Sequence, residues 1–161
     1  MKVALCLSSL PLSGVGTSIR IILKGLLKAG YSAEIILTAN KPGDDYERAI
    51  SEGLPIIALN DNIRFLKTRL TRCYDLLNRY DVIINNASLE TQLILPCLRS
   101  EILKIATMRN LNLNAKKLIS THSDRLHSIV AISLEMKSAL TKSPQVKCPV
   151  QLIPNCTTVK R

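Results

Sequence analysis

The sequence predicts an α/β fold, a doubly wound and mainly parallel sheet in a single domain, on three observations. Short apolar segments of strand length alternate with amphipathic helical segments along almost the whole chain, the pattern of repeated βαβ units. Hydrophobic residues make up 47% of the 161 residues, yet aromatics total 3% and Trp is absent. The core is therefore built from Leu, Ile, Val and Ala, which suits strands buried on both faces. Finally, the apolar run 2–7 leads through Ser13-Gly14-Val15-Gly16-Thr17 into a long amphipathic segment that closes at Gly30. A strand, a glycine-bearing turn and a helix in that order offer first-turn N–H groups and a positive dipole end to an anion.

Each further element has its own signal. In the first helix Ile19, Ile22, Leu23, Leu26 and Leu27 recur on one apolar face, with Arg20, Lys24 and Lys28 turned toward water and Gly30 as a left-handed cap. Residues 33–37 read as the second strand, and Asn40-Lys41-Pro42-Gly43-Asp44 as a turn. A short helix over 46–52 ends at Gly53, and 55–59 is a third strand. Asp61 or Asn62 caps a helix running to Arg79, apolar along Ile63, Leu66, Leu70, Cys73 and Leu77 and basic elsewhere. Residues 81–84 form a buried strand, Ser88 begins a helix through Leu98, and 102–107 is another strand. The remaining elements are a helix from Asn114 or Ala115 to Asp124, a strand over 127–132, a helix capped by Ser133 and ending at Thr141, and a last strand over 150–153.

The net charge of +10 implies either attraction to polyanions, acidic ligands or anionic membrane surfaces, or a generically basic solvated surface. The five cysteines are odd in number and widely spaced, and Cys6 and Cys97 lie in apolar surroundings. Reduced core thiols in a cytoplasmic compartment are expected, rather than a disulfide framework or zinc site. The opening apolar run is too short for a signal peptide and lacks its cleavage pattern, and no stretch approaches bilayer-spanning length.

Ligands of such sheets bind beyond the carboxyl ends of the strands. The candidate site residues are therefore those of the post-strand turns: Ser13, Gly14, Gly16 and Thr17, then Asn86, then Arg109 and Asn110, then Ser133. Each has a plainer alternative. Gly14 and Gly16 serve either a phosphate or a tight turn, and Ser133 caps its helix whether or not it also lines a cleft. Ser88 reads as an N-cap and Glu90 as a first-turn carboxylate favouring the dipole. His122 and His127 sit away from these turns. No paired-carboxylate motif and no metal-ligand cluster is present, so no catalytic residue is assigned.

Several of these segments resemble family 4 glycosyltransferases of the GT-B architecture. The resemblance lies in Gly14-Val15-Gly16-Thr17 with Tyr31-Ser32-Ala33-Glu34-Ile35, in Tyr80-Asp81-Val82-Ile83, in Val130-Ala131-Ile132-Ser133 and in Leu152-Ile153-Pro154-Asn155. The matches occur in the expected order over essentially the whole chain. The resemblance implies a Rossmann-like, acceptor-side N-terminal half over 1–161, with the donor-binding half beginning beyond Arg161. It implies a sugar-nucleotide donor, a glycan or lipid-linked acceptor in cell-envelope polysaccharide synthesis, and no other cofactor. It further implies peripheral contact with the inner membrane face, where the basic helix before Arg79 is either a solvated face or a lipid-facing one. Such an isolated half is expected to bind weakly and to catalyse nothing. Three positions depart from the family: Ser13 replaces a glycine, Met108-Arg109-Asn110 replaces a histidine near the reacting sugar, and Cys156 replaces a glycine. Serine is compatible with ordinary backbone angles and damaging at positive φ. Arg109 suits an anion or hydroxyl contact but not a neutral base at pH 7.

Two other classes compete. A stand-alone nucleotide- or phosphate-binding regulatory module fits the glycine loop. NAD is disfavoured, because the third glycine of a dinucleotide fingerprint is missing and no acidic residue closes the second strand at Leu37-Thr38. A nucleic-acid binder has charge alone in its favour, and the shortage of aromatic stacking residues opposes it; no nucleic acid is expected as partner.

Overall fold

The computed structural model describes residues 1–39, 41–59, 65–86, 88–110 and 113–155, the first three of the last stretch by backbone alone. Among these residues seven strands form one sheet: β1 (Lys2–Leu7), β2 (Ser32–Leu37), β3 (Ile56–Ala58), β4 (Val82–Asn85), β5 (Leu103–Met108), β6 (Ser128–Ala131) and β7 (Val150–Leu152). Their order is β3-β2-β1-β4-β5-β6-β7 and every pairing is parallel. The chain winds outward from β1 to β3, then returns to place β4 on the other side of β1. The topological switch point thus lies between β1 and β4.

Among the described residues six α-helices connect the strands: α1 (Gly14–Lys28), α2 (Tyr46–Ser51), α3 (Leu66–Leu77), α4 (Leu89–Ile94), α5 (Leu113–Ser120) and α6 (Leu134–Thr141). They divide unequally between the two faces. Cys73 and Leu77 of α3, Ile94, Ile119 and Leu140 pack with Ala4, Cys6, Ile36, Ile83, Ala106, Ile129 and Ala131 in a core that runs under most of the sheet. Ile19 and Leu23 of α1 and Ala49 of α2 pack with Val3, Leu5, Leu7, Ala33, Ile35, Leu37 and Val82. This second core reaches only to the partly buried Ile84 and Ile105. Among the described residues four helices therefore cover one face, while two cover the β1–β3 half of the other.

Local chemistry sets the boundaries. Gly30 at φ +83° ends α1: its N–H donates to the Leu27 carbonyl and the Tyr31 N–H to that of Leu26, each at 3.0 Å, as a left-handed helix stop requires. Ser88 and Ser133 cap α4 and α6, each accepting the N–H three residues on, at 3.1 and 3.2 Å. Asp81, the residue just before β4, accepts the Lys2 N–H at 2.7 Å and ties β4 to β1 at the end of the sheet opposite the post-strand turns. Tyr80 beside it is fully buried and donates its hydroxyl to Glu34.

Several expectations are corrected. Arg20 does not face water: its side chain is 12% exposed and ion-paired to Asp45 and Glu52. Leu27 and Leu66, expected on apolar faces, are 40% and 46% exposed, whereas Ile19 and Leu23 of the first helix and Cys73 and Leu77 of the third are buried. Cys97 is exposed, whereas Cys6 and Cys73 are buried thiols whose desolvation pushes both upward, Cys73 to about 12. The helix after Ser88 stops at Ile94 and tightens into a single 3₁₀ turn over Leu95–Cys97, where Pro96 lacks the amide hydrogen that would continue it. The helix expected to reach Asp124 ends at Ser120, and Ser123–Arg125 forms a separate 3₁₀ turn entered through His122 at φ 60°. The basic outer face of α3 is not wholly solvated, since Arg69 reaches the buried Glu90 at 3.3 Å. The capping positions Asp61 and Asn62 and the Cys156 position lie outside the described residues.

Candidate functional site

The post-strand turns meet at one edge of the sheet, as a parallel arrangement requires. Ser13 is the N-cap of α1 at φ −155°, ordinary extended backbone, and its hydroxyl accepts the Val15 N–H at 3.3 Å. Serine is thus accommodated where the resembled family carries glycine. Gly14 and Gly16 do not make a tight turn; both lie within the first turn of α1. Their environments differ sharply. A Cβ on Gly14 would meet nothing within 4 Å, whereas one on Gly16 would lie 2.2 Å from the Pro11 carbonyl oxygen. Gly16 is therefore a packing glycine that lets the β1–α1 loop lie on the helix. Gly14→Ala is expected to change stability by less than about 1 kcal/mol, in the stabilising direction. Gly16→Ala should cost about 1–2 kcal/mol, because overpacking outweighs the propensity gain. Urea unfolding of the two variants checks the opposite signs.

The strongest convergence lies after β4 and β5. Asn86 is 4% exposed and its amide oxygen accepts the Thr107 hydroxyl at 2.7 Å. The same oxygen receives Arg109 through Nε at 3.4 Å and Nη2 at 3.3 Å. Arg109 Nη1 donates to the Asn155 side-chain oxygen at 3.2 Å. Both partners are neutral amides, and among the described residues no ion pair to Arg109 is present. Burial pulls the guanidinium below its ordinary value, although an arginine remains charged at pH 7.

Arg109 stands at a cavity of about 360 Å³ walled by Ile21, Ile22, Ile84, Ile105, Val130, Ile132, Ile153 and Pro154, with Ser18, Thr107 and Asn155 as its other polar residues. The cavity follows from the uneven helix coverage: it occupies the part of the α1 face over β4–β6. A second, smaller cavity of about 200 Å³ lies across α1 and is lined by Leu12, Thr17, Arg20, Ile21, Lys24, Asp45 and Arg48. Thr17 belongs to that one. The eight sequence-predicted residues thus share an edge but not a single pocket. Asn86 and Arg109 are in contact, Asn110 is exposed, and Ser133 spends its oxygen on the Met136 N–H beside the cavity-lining Ile132.

The flanking polar residues are structural. Thr38 donates to Glu90 at 2.9 Å and contacts the Ser88 hydroxyl at 2.8 Å, so the end of β2 is occupied by protein groups. Asn85 donates to Gln92 at 2.9 Å, and Gln92 to the Thr121 carbonyl at 2.7 Å. His127 accepts the Lys104 N–H through Nδ1 at 3.1 Å, an anchor between strands. Among the described residues no group of three His, Cys, Asp or Glu is placed to hold a metal, and no helix is long and apolar enough to cross a membrane. Two contributors escaped the sequence reading, Thr107 and Asn155. Both are polar residues at or just after strand ends, and only the strand order shows that they meet Arg109's neighbourhood.

No family model matches the sequence, and neither does any curated protein. Solved structures match the fold. Anabaena HepE in complex with UDP and glucose superposes with a TM-score of 0.73 at 13% identity, over 96% of this chain and 44% of that one. An alpha-glucosyltransferase in complex with UDP-glucose and DNA containing an abasic site gives 0.72 at 14% identity, over 98% and 43%. The lipopolysaccharide outer core galactosyltransferase WaaB, in its apo form, gives 0.69 at 15% identity, over 99% and 47%. The chain spans less than half the length of each of these. The architecture is accordingly the Rossmann-like α/β domain found in GT-B glycosyltransferases.

Proposed function

We propose that this chain is the acceptor-side half of a glycosyltransferase akin to family 4, moving a hexose from a nucleotide diphosphate donor to a hydroxyl acceptor. Arg109 carries the reading. It is a cation without a carboxylate partner among the described residues, held by Asn86 and Asn155 at the carboxyl edge of the sheet, where ligands of this topology bind. In this reading Arg109, Asn110 and the start of α1 (Ser13, Gly14) position anionic and hydroxyl groups rather than transfer protons, and orientation with charge stabilisation supplies the rate. A donor-side half completes the site, since the solved transferases are about twice as long. The acceptor is a glycan or a lipid-linked carrier met at the cytoplasmic membrane face. The exposed Phe65 and Leu66 leading α3, followed by Lys67, support that contact.

Chemical-shift mapping with UDP-glucose and UDP-galactose tests the proposal. Saturable shifts around Gly14, Asn86, Arg109 and Ser133 are expected, with dissociation constants of about 1 mM and no turnover. Absence of shifts at this edge would overturn the donor reading, and robust turnover by the chain alone would overturn the half-enzyme reading. The net charge of +10 is the one feature in favour of a competing reading, a basic nucleic-acid binder. Duplex DNA binding that weakens about tenfold or more between 50 and 200 mM salt would support it.

A further inference from the structure

We propose that the cavity beside α1 binds a small amphiphilic anion, its aliphatic body among Ile22, Ile84, Ile105, Val130 and Ile132 and its phosphate or carboxylate head on Arg109. This deepens the transferase reading by naming an acceptor chemistry, yet it concerns binding alone and is tested apart from sugar-nucleotide binding.

The polar inventory of the cavity decides the ligand class. The Thr107 hydroxyl is spent on Asn86 at 2.7 Å and that of Ser18 on the Gly14 carbonyl at 2.8 Å. Arg109 uses three of its five N–H groups on Asn86 and Asn155, which leaves two for a ligand. A sugar seated inside would bury more hydroxyls than the few polar groups of Arg109, Asn155, Ser18 and Thr107 can partner, a costly exchange. An aliphatic chain incurs no such penalty and gains from the same walls. The volume of about 360 Å³ is at the low end of ligand pockets, so the body is short. Charge gives the second half of the argument. A half-buried guanidinium facing only neutral amides is poorly compensated, and an anionic head with two acceptor oxygens matches its remaining donors. Ile153 and Asn155 are exposed at the rim, so the head meets Arg109 at the mouth while the body lies inward.

Titration of the full chain, followed by NMR or calorimetry, with octyl phosphate, octanoate, octanol and inorganic phosphate tests this. Octyl phosphate or octanoate should bind at least tenfold tighter than octanol or inorganic phosphate, and the preferred head names the source of the anion. Asn155→Asp places a carboxylate against Nη1 without changing side-chain shape. It should weaken the anions at least tenfold, leave octanol unchanged and not lower the melting temperature. Arg109→Gln should bring the anions down to the octanol level. Equal binding of octanol and octyl phosphate, or an anion preference that survives Asn155→Asp, would overturn the proposal. Amphiphile binding without sugar-nucleotide shifts defeats only the transferase reading, and the converse defeats only this one.

Discussion

Replacing Arg20 with methionine is expected to destabilise the protein by about 3–5 kcal/mol, the range for removing one partner of a buried ion pair. A solvated helix arginine would cost less than about 0.5 kcal/mol. Arg20 leaves α1 to donate through Nη1 to Asp45 Oδ2 at 2.7 Å and through Nη2 to Glu52, clamping α1 to α2. Asp45 is 3% exposed, and its other oxygen has no hydrogen-bond partner among the described residues, so the carboxylate depends on Arg20. Urea unfolding checks the magnitude, and Arg20→Lys should recover only part of the loss, because a point charge does not reach both carboxylates as a fork does. The clamp also predicts an acid signature. The hydrogen bond from Arg20, then that from Lys24, holds the Glu52 carboxyl down from 4.5 to about 2. A carboxyl lowered by folding contributes stability that is present above its unfolded value and lost as pH falls through its folded one. Stability should therefore decline between pH 4.5 and about 2, and the decline should be shallower in Arg20→Met. Equal slopes in the two proteins would show that Arg20 does not hold Glu52.

Gly43→Ala is expected to cost about 3 kcal/mol. Two terms contribute: about 1–2 kcal/mol for a side chain at left-handed φ, and about 1–3 kcal/mol for overpacking. Gly43 has φ +102°, and a Cβ there would lie 2.2 Å from the Leu10 carbonyl oxygen and 2.7 Å from its N and C atoms. These are backbone atoms of a fully buried residue, so no side chain can swing aside. Leu10 donates its N–H to the Pro42 carbonyl at 2.7 Å and accepts the Asp45 N–H at 3.2 Å. One turn is thereby stitched to the loop that sets where α1 begins. Because Asp45 lies in the stitched turn, Gly43→Ala and Arg20→Met should be non-additive in a double-mutant cycle. A loss below about 1 kcal/mol for Gly43→Ala would mean the two loops are not packed as described.

Much of the architecture was legible because its signals are local. The first helix was readable from its apolar spacing and its stop at Gly30, and the caps at Ser88 and Ser133 from residue type and position. The post-strand location of Arg109 and Asn86 followed from strand–helix alternation alone. Errors arose where a residue's fate depends on a distant partner. Arg20 reads as solvated by helical period, but Asp45 lies 25 residues away. Cys97 reads as core by its apolar neighbours, yet the helix has already tightened at Pro96 and turned it outward. Gly16 reads as a turn glycine, and its actual role depends on the Pro11 carbonyl lying across it.

By itself, then, the chain's pattern of apolar periods and turn residues determined that strands and helices alternate, that the strands run parallel, and at which edge of the sheet the post-strand turns gather. Only the tertiary structure decided which helices cover which face, leaving the apolar cavity over β4–β6, and which polar groups meet there. The physical reason is range. Periodicity and capping act within a few residues, whereas Arg109 is placed by Asn86 and Asn155, 23 and 46 residues away, which only packing brings together.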